Sequence, residues 1–471
     1  MAPSKGQYIQ NIEPSSGAAY SLIPNSGAVD VDRALRAAKN AFCSWGKSSR
    51  EYRSRWMMRL ADAIDKHSKR LVLAESKDTG KPIWLAKKMD IPRASENFRF
   101  FATEILHFSS KTYDSDGGAL NYVLRQPIGV AGCISPWNLP LYLLTWKIAP
   151  AIAAGNTVVA KPSEITPYTA YLLGEICKEI KFPRGVINIV HGYGEVAGDA
   201  IVRGCDIVSF TGGTETGRKV ALRAAEEFKK CSLEMGGKNP TIIFRDSDLD
   251  LAIKQTIRSG FLNQGQICLC GSRVFIEKSI FKKFKARLIS DVSGLIVGDP
   301  KKNSVNLGAI VSKKHLCSIL KKIQDAKNSG SKILYGGNRV LIRGLRKGFF
   351  MSPTIIEEPN HLAAINQEEV FGPVISLIPF DTEEAAIKMC NDIKYGLSAS
   401  IFSNCISRCH RVASKIDCGI IWINAWLLRD LRIPFGGMKH SGLGREGGHE
   451  SLNFFTETKN VCVVVESEKN K

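Results

Sequence analysis

No apolar run in the 471 residues is long and clean enough to cross a bilayer. The longest, LPLYLLTWKIAPAIAAG at 139–155, is interrupted by Lys147, Pro140 and Pro150, short of the ~20 uninterrupted residues a span requires. Histidine is scarce, at 8 residues. No CxxC pair and no Cys/His cluster with zinc-ligand spacing occurs, which excludes a zinc module, and 13 cysteines are too dilute for a disulfide scaffold. Acidic residues are outnumbered, and the formal charge is +20. The lysines are nevertheless interspersed with acids, and no aromatic-interleaved basic motif accompanies them. Steering of anionic ligands is expected rather than nucleic-acid binding. The start, MAPSKGQYIQ, has no leader-like apolar region, and the end, ESEKNK, matches no sorting signal, so the expected location is cytoplasmic.

What is present is an alternation of strands and helices. The first hundred residues read as helices, with Val31, Leu35, Ala38, Phe42 and Trp45 at helical spacing. From residue 122 short β-rich runs (GVAGCI, TVVAKP, VINIV, DIVSF) alternate with helical patterns, the signature of a parallel, doubly wound sheet. After residue 237 a second series follows: NPTIIF, RVFIE, KILYGG, ISLIPF, ASIFS and GIIWIN. KTYDSDGGALNYVLRQP and FFTETKNVCVVVE read as strands with one polar face, suited to a sheet edge or a subunit contact. The expected fold class is α/β.

Several fragments carry chemistry, each ambiguous alone. HGYGEVAG does not meet the G-x-G-x-x-G fingerprint, whereas FTGGTETG puts Gly212 and Gly213 between a strand and a helix N-terminus that could meet a phosphate. AKPSE ends a strand with Lys161 and Glu164, either a surface pair or, with a dinucleotide present, a carboxylate that would favour NAD over NADP. Glu234 in LEMGG is a surface residue or, enclosed beside a cysteine, a carboxylate whose pKa burial would raise into a general base's range. Asn138 in SPWNLP caps a helix or donates to an oxyanion. Cys268 and Cys270, in NQGQICLCGSR, are a nucleophile with a neighbour or two packed thiols. Period-two alternation into the following strand would place them on one face.

Together SPWNLP, KPSE, FTGGTETG, LEMGGKNP, NQGQIC, EEVFGPV and PFGGMKHSGLGREGG resemble, in order and spacing, the aldehyde dehydrogenase superfamily over nearly the whole chain. The resemblance implies a Rossmann-type NAD-binding domain (1–108 and 128–236), an α/β catalytic domain (237–440) and a small β oligomerisation element (109–127 and 441–471) of a homodimer or homotetramer. It implies Cys268 as nucleophile, Glu234 as base and Asn138 as oxyanion donor, with no metal. Ile134, Lys161, Glu164, Gly212 and Gly213 would hold the cofactor's adenosine and pyrophosphate, Trp137 its adenine side, and Glu369 with Phe371 the nicotinamide ribose. Three departures stand out: Gly213 where the family has serine, Gln266 where QGEIC has glutamate, and a shorter N-terminus lacking the usual first hairpin. GCISPWNLPLYLLTWKIAP and INAWLLRDLRIPFGG further resemble a branch acting on 2-aminomuconate semialdehyde in tryptophan degradation through kynurenine. Arg99, Arg429 and Phe435 occupy positions resembling that branch's substrate residues, with the arginines suited to a carboxylate. Retinal, betaine aldehyde or 2-hydroxymuconate semialdehyde oxidation, a non-catalytic binding protein of this fold, and a thiol hydrolase are the alternatives.

Overall fold

A computed structural model describes residues 2–115 and 118–464. The last residues of the segment 441–471 given to the oligomerisation element thus lie outside the described residues.

The chain does not open on a helix. Tyr8–Glu13 and Ala18–Pro24 pair as an antiparallel hairpin turned by PSSG, so a first hairpin is present and the expected wholly helical start is corrected. Ser and Gly supply the turn, and Gly17 takes a φ of 69°. Helices Ala28–Trp45, Arg50–Lys66, Ser68–Thr79 and Ile91–His107 follow.

Two sheets organise the rest. The first runs in the order Gly442–Leu443, Cys231–Glu234, Ile207–Thr211, Val130–Ile134, Thr157–Lys161, Ile187–Ile189, parallel except for the two-residue edge. Its central strands are buried along their whole length because helices cover both faces. Side-chain alternation divides them: Ala131 and Cys133 pack towards the helices Arg50–Lys66, Ile91–His107 and Pro140–Ala153, and Val130 and Ile134 towards Ala28–Trp45 and Asp199–Gly204. The second sheet has seven strands, in the order Lys332–Tyr335, Thr354–Glu357, Val374–Phe380, Arg273–Glu277, Pro240–Ile243, Ser398–Phe402, Ile420–Ile423. Thr354–Glu357, hidden in SPTIIEEP between prolines, was not legible as a strand.

Only Met235 to Asn239 separate the end of Cys231–Glu234 in the first sheet from the start of Pro240–Ile243 in the second. The crossing is pinned by Met235 N–H donating to the Ser441 carbonyl at 2.9 Å. A third, antiparallel sheet joins Thr456–Val464, Ala119–Pro127 and Thr112–Ser115, with nine paired positions between the first two.

Candidate active site

Residues from both sheets converge where the chain crosses between them. After the helix Leu249–Phe261 the backbone reverses through Asn263, Gln264 and Gly265, with φ of 52°, 56° and 67°. Consecutive left-handed residues cost energy, and side chains hold them here. Gln264 donates to the Ala309 carbonyl (3.2 Å) and accepts from Gly308 N–H (3.2 Å), while Gln266 accepts from Val311 N–H (3.1 Å). Gln266 thus has a structural function that its departure from the family pattern did not announce. A Cβ at Gly265 would run into the Gly372 carbonyl, so only glycine fits.

Cys268 follows on a turn closed by Cys270 N–H to the Ile267 carbonyl at 3.0 Å. Both cysteines precede the strand Arg273–Glu277, so the expected period-two alternation does not apply to them. Cys268 is partly exposed, whereas Cys270 packs with Ile267, Leu269, Leu397 and Trp422. The turn is clamped by Asn239, whose Nδ2 donates to the carbonyls of Cys268 (2.7 Å) and Cys270 (2.9 Å) and whose Oδ1 accepts from Ser398 N–H (3.1 Å). Asn239 was visible in LEMGGKNP but carried no signal of its own.

Asn138 is buried, and its Nδ2 donates to the Gln266 carbonyl at 2.9 Å, bringing the amide to the nucleophile turn. Glu234, at its strand end, is buried rather than a surface residue, and its Oε1 has no hydrogen-bond partner. A Cβ at Gly436 would lie 2.7 Å from that oxygen, so glycine leaves the carboxyl its room. Burial raises the Glu234 pKa well above the usual carboxylate range; the neighbouring Glu446 adds to this, and Lys147, Arg445 and Arg429 oppose it. Lys147, which in the sequence only broke an apolar run, is buried and pairs with Glu446 at 2.7 Å. Burial also pushes the Cys268 thiol up, with Glu369 and Glu234 adding and Arg429 opposing.

The cofactor candidates flank this centre. Ile134 ends its strand in register with Lys161, whose ammonium pairs with Glu164 at 3.1 Å. Gly212 N–H donates to the Glu234 carbonyl at 3.0 Å, and Gly213 caps the helix Thr214–Ala225. A Cβ at Gly213 meets nothing within 4 Å. Glu369 accepts from Gly237 N–H at 3.1 Å, and burial lifts its pKa to about 7. The Trp137 ring lies edge-on to Phe371, with centroids 5.1 Å apart. The Trp137 ring is held between Phe371 and His315.

The two arginines separate. Arg99 is not at the site: on the outer face of its helix it pairs with Asp62 (2.6 Å) and Asp65 (2.7 Å) of Arg50–Lys66, its charge already matched. Arg429 lies over the Phe435 ring, 3.9 Å from its centroid, and its Nε is buried without a partner. Phe435 in turn exchanges backbone hydrogen bonds of 2.7 Å with Glu446, tying this wall to the Glu234 neighbourhood. Arg93, six residues before Arg99, faces the Tyr142 ring at 5.6 Å, and its charge reaches Asp430 beside Arg429. Helical phase alone could not choose between Arg93 and Arg99.

Comparison with known proteins gives a consistent picture. The model of the Aldehyde dehydrogenase family matches residues 1–461. The chain is 49% identical over 461 residues to the 2-aminomuconic semialdehyde dehydrogenase of Danio rerio, covering 97% of this chain and 95% of that protein. It is 43% identical to the 2-hydroxymuconic semialdehyde dehydrogenase of Pseudomonas sp. (strain CF600), covering 98% and 96%. The crystal structure of betaine aldehyde dehydrogenase from Staphylococcus aureus in complex with NAD+ superposes with a TM-score of 0.96 at 36% identity, covering 100% and 94%.

Proposed function

The chain belongs to the aldehyde dehydrogenase family, and from that premise we propose that it oxidises 2-aminomuconate 6-semialdehyde to 2-aminomuconate in the cytoplasm, with NAD as hydride acceptor. The observation that carries the substrate is the unpartnered Arg429 Nε beside Phe435, whose charge is felt by both Cys268 and Glu234. A half-buried guanidinium whose inaccessible Nε has no carboxylate partner suits an anionic ligand. Arg99, matched by Asp62 and Asp65, is withdrawn.

The residues present fit a dinucleotide. Gly213 leaves open space at a helix N-terminus, where backbone N–H groups favour phosphate. Glu164, beside Lys161, suits ribose hydroxyls and would repel the additional phosphate of NADP. A Cβ at Gly236 would strike the Glu369 carboxylate, so the glycine keeps that carboxylate's place against the Gly237 N–H. Bound there, the nicotinamide would supply the hydride acceptor.

This chain's own groups do the remainder. Glu234, poised high by burial, takes the Cys268 proton through a water, and the thiolate adds to the aldehyde carbon to give a thiohemiacetal. The oxyanion is held by the Asn138 amide, which has one N–H left after its bond to the Gln266 carbonyl, and by the Cys268 backbone N–H. Loss of hydride leaves a thioester. Glu234 passes that first proton to solvent, then removes a proton from the attacking water, and the acid leaves as the Cys268 sulfur departs as thiolate.

The same carboxylate-binding wall supports 2-hydroxymuconate semialdehyde as a second reading, in keeping with the Pseudomonas relative. The two sheets, each parallel except for one edge strand, support the division into an NAD-binding unit (1–108 and 128–236) and a catalytic unit (237–440). Exposed Leu120, Leu124, Val463 and Val464 support the third sheet as a homo-oligomeric contact.

A panel of carboxylated semialdehydes and neutral aldehydes, with NAD and NADP, tests the reading. Arg429→Ala should raise KM for a carboxylated semialdehyde by about 10- to 100-fold, the worth of a charged hydrogen bond, and leave a neutral aldehyde little affected. An equal loss on both substrates would remove the assignment.

A further inference from the structure

Directly behind Asn138 lie three ionisable side chains that the chemistry above does not use. Lys81, Glu75 and Asp90 are wholly buried. The Lys81 ammonium is 2.7 Å from Asp90 Oδ1 and 3.8 Å from Glu75 Oε1. It also donates to the backbone carbonyl of Asn138 at 3.1 Å. One ammonium between two buried carboxylates leaves a net negative charge, which a dry interior does not tolerate. One carboxyl therefore keeps its proton. Burial raises both, and Glu75, at 3.8 Å and without a hydrogen bond from Lys81, is the one left neutral. Lys81 and Asp90 then form a matched pair with an ammonium donor to spare for Asn138.

The same carbonyl also accepts from Asn263 Nδ2 at 3.2 Å, and that amide donates to the Gln266 carbonyl at 3.1 Å. Asn138 is thus gripped through its main chain from two sides, one being the nucleophile turn itself. The preceding residue adds a link: the Gly80 carbonyl accepts from Ala309 N–H at 2.9 Å, and the Ala309 carbonyl accepts from Gln264. The Gly80–Lys81 corner therefore touches both the amide donor and the strap that holds the left-handed turn before Cys268.

We propose that Lys81, held by Asp90, is a positioning residue for the reaction: its ammonium fixes the Asn138 main chain so that the side-chain amide stays aimed at the oxygen of the Cys268 adduct, a role that rests on Asn138 being the oxyanion donor. An interior that needed only volume at this point would be served by an apolar side chain, without the cost of dehydrating an ammonium. The hydrogen bond to a main-chain carbonyl is what the lysine adds. Its geometric tolerance is small, because a displacement of about 1 Å in a positioned group costs on the order of 100-fold in rate.

The test uses the full-length chain with NAD+ and a single aldehyde, followed by NADH formation, in wild-type and Asn138→Ala backgrounds. Replacing Lys81 by Met and Asp90 by Leu together removes the ion pair without leaving either charge unpaired. In the wild-type background the pair should lower kcat by about 100-fold, comparable to losing an oxyanion donor, with the thermal midpoint and NAD affinity close to wild type. In the Asn138→Ala background the same pair should lower kcat by less than about 3-fold, because the group being positioned is already absent. Asp90→Asn, nearly isosteric and therefore safer for folding, gives a second arm with the same dependence on background and a smaller loss of about 10-fold. Equal losses in the two backgrounds would make the cluster a packing element only and overturn the role given to Lys81, as would wild-type kcat in either variant. If Asn138→Ala alone turns over normally, the oxyanion reading itself fails, an outcome distinct from failure of the Lys81 arm.

Discussion

At the scale of single residues, the site depends on groups whose protonation is set by burial. In the proposed mechanism Glu234 loses a proton before it activates water, and burial with Glu446 nearby raises its pKa. The acid limb of kcat is therefore expected above the ordinary carboxylate range, and Glu446→Gln should move it downward, because a neighbouring negative charge is removed while Lys147 remains; a pH profile of steady-state turnover reads this. Glu234→Gln should slow steady-state turnover by about 100-fold or more and also slow the initial burst of NADH, since the same base serves Cys268 deprotonation and the hydrolytic water; rapid mixing reads both phases. His191 bears on stability instead. Burial lowers its pKa to about 4 from 6.5, so the folded chain holds it neutral while the unfolded chain protonates it. Its contribution is present above pH ~6.5 and is lost as pH falls towards 4, on the order of 3 kcal/mol in all. Chemical denaturation across that window should show a flatter pH dependence in His191→Gln.

At the scale of elements, the nucleophile turn is the most constrained piece. Asn263, Gln264 and Gly265 are left-handed in succession, and the only glycine among them faces the Gly372 carbonyl. Gly265→Ala combines an unfavourable φ with a backbone collision, so a loss of roughly 3 kcal/mol or more is expected, seen as a lowered thermal midpoint together with lost turnover. The elements themselves were largely legible. The runs GVAGCI, TVVAKP, DIVSF and RVFIE are strands because both of their faces are covered and continuous apolar residues suit that burial. The opening hairpin was not legible, since YIQNIE and AAYSLIP have only partial alternation and take their order from pairing with each other. The placing of Cys268 and Cys270 on one strand face failed because the strand begins later, at Arg273.

At the scale of the whole molecule, the third sheet stands apart. Leu120 and Val463 face each other across the pair Ala119–Pro127 and Thr456–Val464 and are both exposed. Placing Asp at both positions puts like charges opposite each other on an apolar face, and light scattering should then show a smaller assembly than wild type. The sequence by itself determined the α/β class, the order of the two sheets, and Cys268, Glu234 and Asn138 as candidates, because strand periodicity and short ordered motifs are local properties. Tertiary structure alone decided that Arg429 lies over the Phe435 ring while Arg99 is spent on Asp62 and Asp65, that Trp137 packs against Phe371, and that Lys147 and Lys81 are buried partners of Glu446 and Asp90. The reason is the same in each case: whether a charge is free or matched, and which way a ring turns, depends on residues tens to hundreds of positions away, brought close only by the packing of the sheets.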